Sequence, residues 1–574
     1  MASATETADN PAISRSKLRL ATILLGISMG STGASGLVNE YILATVATYI
    51  LGNSIQQFSV IIALMLLMMG VAGWVQKFSS NRRMIEKFLG VETTIALLGG
   101  FAPIAIYAAF ASMTDHFQLV LYAFVMAIGF LIGFEIPLVL RINKAYSERL
   151  RANLAVILSM DYIGSFIGAF IWSFFLLRTF PITEISFLVS GLNFLVAAIT
   201  FLYFLRHHLV ALKAIPIVAI ALTISGLSYG YTHNRDWNAQ LEQKFYDDPV
   251  IFSKTTPYQH LVMTHNSRLN EYRLYINGNT QFSSLDEAIY HEHLVHPVMS
   301  LVPEHQRVLI LGGGDGLALR EVLKYPDVRS VTLVDLDSDM VEIAATHPIF
   351  TKLNNNAFAD ARVHRYITRA IASDGVRPIF METGQVNAKR QEITEKVATV
   401  QVVTVDADKF IREIDDYYNV IMVDLPDPAS IELAKLYSKE FYLKLKGRLS
   451  ENGMIVTQAT SPYHAKESFL NIRRTMEATG LTTLPYHDNV PSFGDWGWIL
   501  AWSSNRPLED VKATLEHIDS FPVTTQYLTP ELTRASLAFG KGMLTPAPQH
   551  EDKINTLMHP VLLHLYLEES WKVY

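Results

Sequence analysis

The chain has 574 residues, 50% of them hydrophobic and 18% charged, and it contains no cysteine. That length exceeds what a single core supports, and the missing cysteines exclude disulfides, thiolate nucleophiles and cysteine-based zinc or iron–sulfur centres. A net charge of -7 without a basic domain argues against a nucleic-acid partner.

Residues 1–17 form a polar tail that turns basic at Arg15 and Lys17. Residues 18–234 then carry long apolar segments, each near the ~20 residues that a membrane helix needs, and about seven can be counted. They centre near Ser35, Ala63, Leu97, Val125, Phe166, Val196 and Ile220. This predicts a multi-pass α-helical bundle in the cell (inner) membrane, with the lipid bilayer as its partner. The first segment, around MGSTGASGLVNE, is rich in small and polar residues and is expected to be bent or interrupted. Glu40, Glu135 and Asp161 lie inside apolar segments, where a carboxyl either serves a cation path or joins neighbouring helices.

Basic residues cluster in alternate connections: Lys77, Arg82, Arg83 and Lys87; Arg141, Lys144, Arg149 and Arg151; Arg206 and Lys213. The positive-inside rule puts these loops and the N-terminus in the cytoplasm. Seven spans would then leave everything after residue 234 outside.

Beyond Asn234 the pattern becomes that of a soluble α/β domain. Residues 235–300 alternate apolar and polar positions around turn formers such as Asn277–Gly278–Asn279, which predicts a small β-hairpin subdomain. Residues 301–574 alternate strands with helices and predict a Rossmann-like sheet of the methyltransferase type. Residues 363–399 are charged and aperiodic and read as a surface insertion.

The strongest motif is VLILGGGDGLALRE, a buried strand running through Gly312, Gly313, Gly314, Asp315 and Gly316 into a helix. Glycines there allow a tight turn and close approach of a ligand. Asp335 stands about twenty residues later at the end of the next strand, where an acid commonly holds ribose hydroxyls. Asp315 would repel a phosphate, so the loop suits an adenosine ligand bearing a cation, such as a sulfonium. The competing role for Asp315 is to cap the following helix. In VDLPDP, Asp424 and Asp427 follow another strand end, where one carboxylate can accept a proton from an amine while the second holds a positive charge. Asp and Pro are also plain turn formers.

YQHLVM, INGNTQFSSLDEAIYHE, VLILGGGDGLALREVLKYP, VTLVDLD, DADKF and DLPDP occur in this order, and in that the soluble half resembles the spermidine synthases, in particular their membrane-fused bacterial subgroup. The resemblance implies transfer of an aminopropyl group from decarboxylated S-adenosylmethionine, a co-substrate, to an amine such as putrescine. Spermidine and methylthioadenosine would be the products, with no metal or other cofactor and with a homodimer or higher homo-oligomer as the assembly. By the same resemblance Gln259 and Gln281 contact the donor, and Tyr290 and His291 line the site, with Tyr290 near the attacked amine. Asp315 holds the donor's amino group and Asp335 its ribose, while Asp406 and Ala407 sit by the adenine. Asp424 is the general base and Asp427 the amine anchor. Because such a donor is made in the cytoplasm, the resemblance favours a cytoplasmic catalytic domain, against the charge pattern; a first segment that fails to cross would reconcile the two. The chain departs from the family at NVPSFGDWGW, where Val490 stands in place of a tyrosine that shapes the acceptor pocket, leaving Phe493, Asp495 and Trp496 as possible substitutes. Two alternatives are a methyltransferase using intact S-adenosylmethionine, and a polyamine transporter or sensor with a binding-only domain.

Overall fold

The computed structural model describes residues 15–51, 54–113, 116–146, 150–207, 214–360, 363–366 and 399–569. The chain divides into two units, Met1–Pro249 and Val250–Tyr574.

The first unit consists of long helices: α1 (Arg15–Leu51), α2 (Ser54–Gln76), α3 (Met84–Ser112), α4 (Phe117–Tyr146), α5 (Leu150–Ile171), α6 (Ile182–Arg206) and α7 (Ala214–Gln243). Among the described residues, seven helices are long and apolar enough to cross a membrane. The expected break in the first segment is corrected, because α1 runs unbroken for 37 residues. Its small residues serve packing instead. A Cβ on Gly164 of α5 would stand 1.9 Å from the Gly30 carbonyl oxygen, and one on Gly33 of α1 would stand 2.3 Å from the Asp161 carbonyl oxygen. Two helices can approach this closely only where side chains are missing. The irregular turn lies after α5, where Trp172–Leu176 form a π-helical segment. α7 also extends past the expected end at Asn234, since RDWNAQLEQ contains no helix breaker.

The second unit opens with an antiparallel meander, β1 (Val250–Thr255), β2 (His260–Asn266), β3 (Glu271–Ile276) and β4 (Asn279–Ser283). Helix α8 (Glu287–Leu301) follows. The rest is one sheet built from β5 (Arg307–Gly312), β6 (Ser330–Asp335), β7 (Val363–Tyr366), β8 (Thr399–Thr404), β9 (Tyr418–Asp424), β10 (Leu449–Gln458), β11 (Thr482–Val490) and β12 (Gly494–Trp502). Its order is β11-β12-β10-β9-β5-β6-β8-β7. The strands β7 to β10 and β5 to β6 pair in parallel, while β11 and β12 are antiparallel. Strands such as Leu309–Leu311 and Ile421–Val423 are apolar on both faces, as a sheet covered on both sides requires. The presumed insertion begins later than expected, because Val363–Tyr366 pair with β8 as an edge strand. Residues 367–398, the remainder of that reading, lie outside the described residues.

Strand order reverses between β5 and β9, the place where an open α/β sheet leaves a crevice at its carboxyl ends.

Candidate active site

Register brings the sequence motifs together at that crevice. Gly312 pairs with Asp424 across β5 and β9, and Asp335 pairs with Thr404 across β6 and β8. The glycine loop, Asp424, Asp335 and Asp406 therefore stand at the ends of four adjacent strands. The loop's composition follows from this crowding. Gly312 has φ +86, and a Cβ there would lie 1.9 Å from the Asp424 carbonyl oxygen. A Cβ on Gly314 would lie 2.6 Å from Asp335 Oδ2, the oxygen to which the Gly314 amide donates at 3.0 Å.

Asp315 sits at the start of the helix that follows the glycine loop. Its Oδ1 accepts from the amide of Leu317, the first residue of α9 (Leu317–Val322), at 3.0 Å, and among the described residues its other oxygen has no hydrogen bond. Asp335 is tied by Oδ1 to the Asp337 amide at 2.8 Å. Burial raises its carboxyl to about 7, and that of Asp315 also goes up, against the pull of the His291 charge.

Helix α8 supplies the opposite wall. Tyr290 donates its hydroxyl to Asp424 Oδ1 at 2.8 Å, and both side chains are buried. Burial lifts Asp424 to about 6, although the positive charge of His291 and the Tyr290 bond pull the other way. His291 lies with Nδ1 3.0 Å from Glu287 Oε2. Burial alone would push the imidazole down, but the Glu287 bond and charge outweigh it and raise it to about 9. His291 is thus an imidazolium at neutral pH, facing the charges of Asp315 and Asp424.

Asp427 accepts from Tyr566 Oη at 2.7 Å and from Gln458 Nε2 at 3.3 Å, and burial raises it to about 6. Gln259 donates to Asp337 Oδ2 at 2.8 Å, and Thr256 donates to the same oxygen at 2.7 Å. Gln281 is the extra residue of a β-bulge, since Phe282 pairs with Leu274 and Thr280 with Tyr275. Bulges redirect a side chain where regular pleating would not. Asp406 begins α10 (Ala407–Glu413): its Oδ1 accepts from the Lys409 amide at 3.0 Å and its Oδ2 from Lys435 Nζ at 2.8 Å, with Ala407 buried beside it.

Val490 is fully buried at the tip of the β11–β12 hairpin, paired with Gly494. The next residues return towards α8: the Phe493 ring stands 6.2 Å from the Tyr290 ring, edge to face. Ser492 donates through its amide (2.7 Å) and hydroxyl (2.9 Å) to Asp286, the residue just before α8. Asp495 is engaged elsewhere, 2.6 Å from His487 Nδ1. Of the three candidate substitutes, Phe493 is the one in ring contact with Tyr290.

Several participants escaped the sequence reading. Asp337 stood in the DLD string and could have been singled out. Tyr566, on the C-terminal helix α11 (Val561–Glu569), lies 139 residues from its partner Asp427 and has no local signal. Arg320 holds Glu287 through two bonds of 2.7 and 2.9 Å and Glu321 through one of 2.8 Å. Glu292, His296 and Glu321 converge closely enough to hold a metal ion. Their oxygens are already committed, however: Glu292 accepts the amides of Gln526, Tyr527 and Leu528, and Glu321 faces Lys324 at 2.5 Å.

What this geometry offers is a strand-end edge with Asp315 and Asp424 buried, Asp335 and Asp427 half-buried, and the imidazolium of His291 paired with Glu287. Such an excess of carboxylates, buried or half-buried, suits ligands that bring positive charge.

Comparisons with known proteins give the chain's relatives. The spermine/spermidine synthase domain matches residues 287–373 and 386–513. A polyamine aminopropyltransferase of Oceanobacillus iheyensis is 35% identical over 95% of this chain and 97% of its own length. One from Leptospira interrogans is 35% identical over 89% and 95%. A crystal structure of spermidine synthase in complex with the transition state analogue AdoDATO matches with TM-score 0.41 and 24% identity, covering 51% of this chain and 88% of that one.

Proposed function

Since the chain belongs to the polyamine aminopropyltransferases and transfers aminopropyl groups, we propose that its donor is decarboxylated S-adenosylmethionine and its acceptor putrescine, with Asp424 as the general base. Membership in that family sets aside the methyltransferase alternative. The observation that carries the assignment of roles is the Tyr290–Asp424 hydrogen bond at the switch point, beside an imidazolium and three further carboxylates.

An aliphatic amine is mostly protonated at neutral pH and must lose a proton before it can attack. Asp424, raised to about 6, is ionised at neutral pH yet basic enough to take that proton. Tyr290 fixes the orientation of the carboxylate. The amine lone pair then forms a C–N bond to the carbon beside sulfur, the C–S bond breaks, and its electron pair stays on sulfur. The sulfonium becomes the neutral thioether of methylthioadenosine, and the proton on Asp424 passes to solvent. In this reading the free oxygen of Asp315 holds the donor's ammonium, Asp335 its ribose, Asp406 and Ala407 its adenine edge, and Gln259 and Gln281 its flanks. Asp427 anchors the far amine, and Phe493 closes the acceptor side where relatives carry a tyrosine.

The sign of the pH dependence follows. A carboxyl raised to about 6 is protonated below that pH and can neither accept a proton nor hold a cation. At saturating donor, methylthioadenosine release should show an acid limb near pH 6. A rate flat from pH 7 down to 5 would rule out Asp424 as the base.

We further propose that the first unit spans the membrane. It is apolar outside and polar inside: Leu67, Phe166, Leu192 and Leu222 are exposed, whereas Thr32, Asn39, Glu92, Glu135 and Asn193 are buried. Water would favour the reverse, and lipid favours this one. The catalytic unit is placed in the cytoplasm, where its donor is made. The basic connections argue the other way, so a direct test is needed. The absence of cysteine makes it simple, because Met558→Cys, at a 92% exposed position, introduces the sole thiol. An impermeant maleimide should label it only after the cells are opened; labelling of intact cells would move the catalytic unit outside.

A further inference from the structure

The buried face of α6 carries Thr183, Ser186, Ser190, Asn193 and Thr200, spaced by three, four or seven residues. They form a polar stripe on the side turned into the bundle. Helix α1 answers it. Thr22 donates to Asn143 of α4 at 3.1 Å, Ser28 lies 3.0 Å from Thr200, and Thr32 reaches Glu92 of α3 and Glu135 of α4. Further along, a Cβ on Gly99 of α3 would lie 2.9 Å from both Asn39 Oδ1 and Ser190 Oγ, so both atoms border the same point. From Thr22 to Asn39 this seam follows α1 for about 25 Å at the rise of an α-helix, close to the thickness of a bilayer core.

Hydrogen counting at its middle is informative. Thr32 Oγ1 lies 3.0 Å from the Ser28 carbonyl oxygen, 2.9 Å from Glu92 Oε1 and 3.0 Å from Glu135 Oε1. A hydroxyl has one hydrogen to give, so three acceptors around it cannot all be served. If both carboxyls bond to Thr32, at least one of them must carry a hydrogen. Asn193 donates to Glu92 Oε2 at 2.6 Å. Among the described residues Glu135 Oε2, Asn193 Oδ1, Ser190 Oγ and both polar atoms of Asn39 are buried without a partner. Orphaned acceptors in a membrane interior are costly, and structural bonding between helices leaves them unexplained. The other ionisable groups nearby are Asp161 of α5, whose charge Glu135 feels, and Glu40, eight residues beyond Thr32 on α1; α2 carries none.

We infer that Glu92 and Glu135 form a proton-binding site at the centre of a translocation path, where a bound proton is exchanged for the ammonium group of a linear amine. The orphaned acceptors match N–H donors, and the exchange conserves charge when each ammonium group that enters sends one proton out, two for the dication putrescine. The choice of amine rests on aminopropyl transfer being the reaction of the catalytic unit.

The test uses the full chain in proteoliposomes with a pH-sensitive dye inside. A pulse of putrescine outside should raise the internal pH faster than in protein-free vesicles, and Glu135→Gln should abolish the difference. The same vesicles are assayed for methylthioadenosine release, which Glu135→Gln should leave unchanged, so a failed catalytic reading is visible separately. A second measurement avoids the variant: dicyclohexylcarbodiimide, which adds to protonated carboxyls in apolar surroundings, should modify Glu92 or Glu135 in the parent protein and stop the exchange. No exchange by catalytically active parent protein, or exchange that survives both Glu135→Gln and the carbodiimide, overturns the proposal. An equal response to potassium chloride overturns the assignment to an amine.

Discussion

Asp424→Asn should lower methylthioadenosine release by about 10²- to 10⁴-fold, the range for loss of a general base, while making the catalytic unit more stable at pH 8. The two effects share one cause. The Asp424 carboxyl sits at about 6 in the folded chain, above its ordinary value of 3.8, because burial disfavours its charge. A carboxyl raised by folding costs nothing below its unfolded value, where both states are protonated. The cost grows as pH rises towards the folded value and is complete above it. At pH 8 it amounts to about 3 kcal/mol at 1.4 kcal/mol per unit. Asparagine keeps the shape and an oxygen that can accept from Tyr290, but carries no charge. Thermal unfolding followed by tryptophan fluorescence should place the variant above the parent at pH 8, with the gap closing towards pH 4. A variant that loses activity and stability together would assign Asp424 to the fold rather than the chemistry.

This tension explains which parts of the site could be read from sequence. The loop from Gly312 to Gly316, and Asp335, Asp424 and Asp427, break the rules of ordinary cores, with glycines in place of side chains and carboxylates at strand ends. Those breaks are local, so the string reveals them. Register then brings them together, because a parallel sheet in this order places Gly312 opposite Asp424. Contacts between distant segments left no such mark. Tyr566 looks like one more aromatic on an apolar helix, and nothing near it points to Asp427. Phe493 looked no better a substitute than Asp495 or Trp496 until the hairpin turn at Pro491–Phe493 placed its ring against Tyr290. In the bundle, the small residues of α1 looked like a break because glycine usually interrupts helices in water. Against a second helix with glycines of its own, they allow contact instead.

The second large effect is expected at Arg320, which the sequence left unmarked within ALREVLKY. Its guanidinium binds both oxygens of Glu287, one oxygen of Glu321 and the Leu353 carbonyl, and it is itself buried. Arg320→Met removes the cation but leaves the two glutamates where they are. Breaking one side of a buried ionic cluster costs about 3 to 5 kcal/mol, because the remaining charge has no solvent to replace its partner. Urea unfolding at pH 7 should show a loss of that order, and Arg320→Lys should recover only part, since an ammonium cannot span both oxygens of Glu287. The pH dependence has the opposite sign to that of Asp424. Burial works to raise Glu321, but the His296 bond, Arg320 and Lys324 hold it down at about 2. A depressed carboxyl stabilises above its unfolded value and loses that contribution as pH falls through the folded one. The deficit of Arg320→Met should therefore shrink between about pH 4 and 2, where the glutamates protonate in the unfolded chain. A variant as stable as the parent at pH 7 would contradict the assigned role. Arg320 acts on the chemistry mainly through Glu287: by sharing that carboxylate it fixes the partner of His291, the imidazolium that faces Asp315 and Asp424. Loss of activity at Arg320 should accordingly appear with altered pH dependence, as well as with fewer folded molecules.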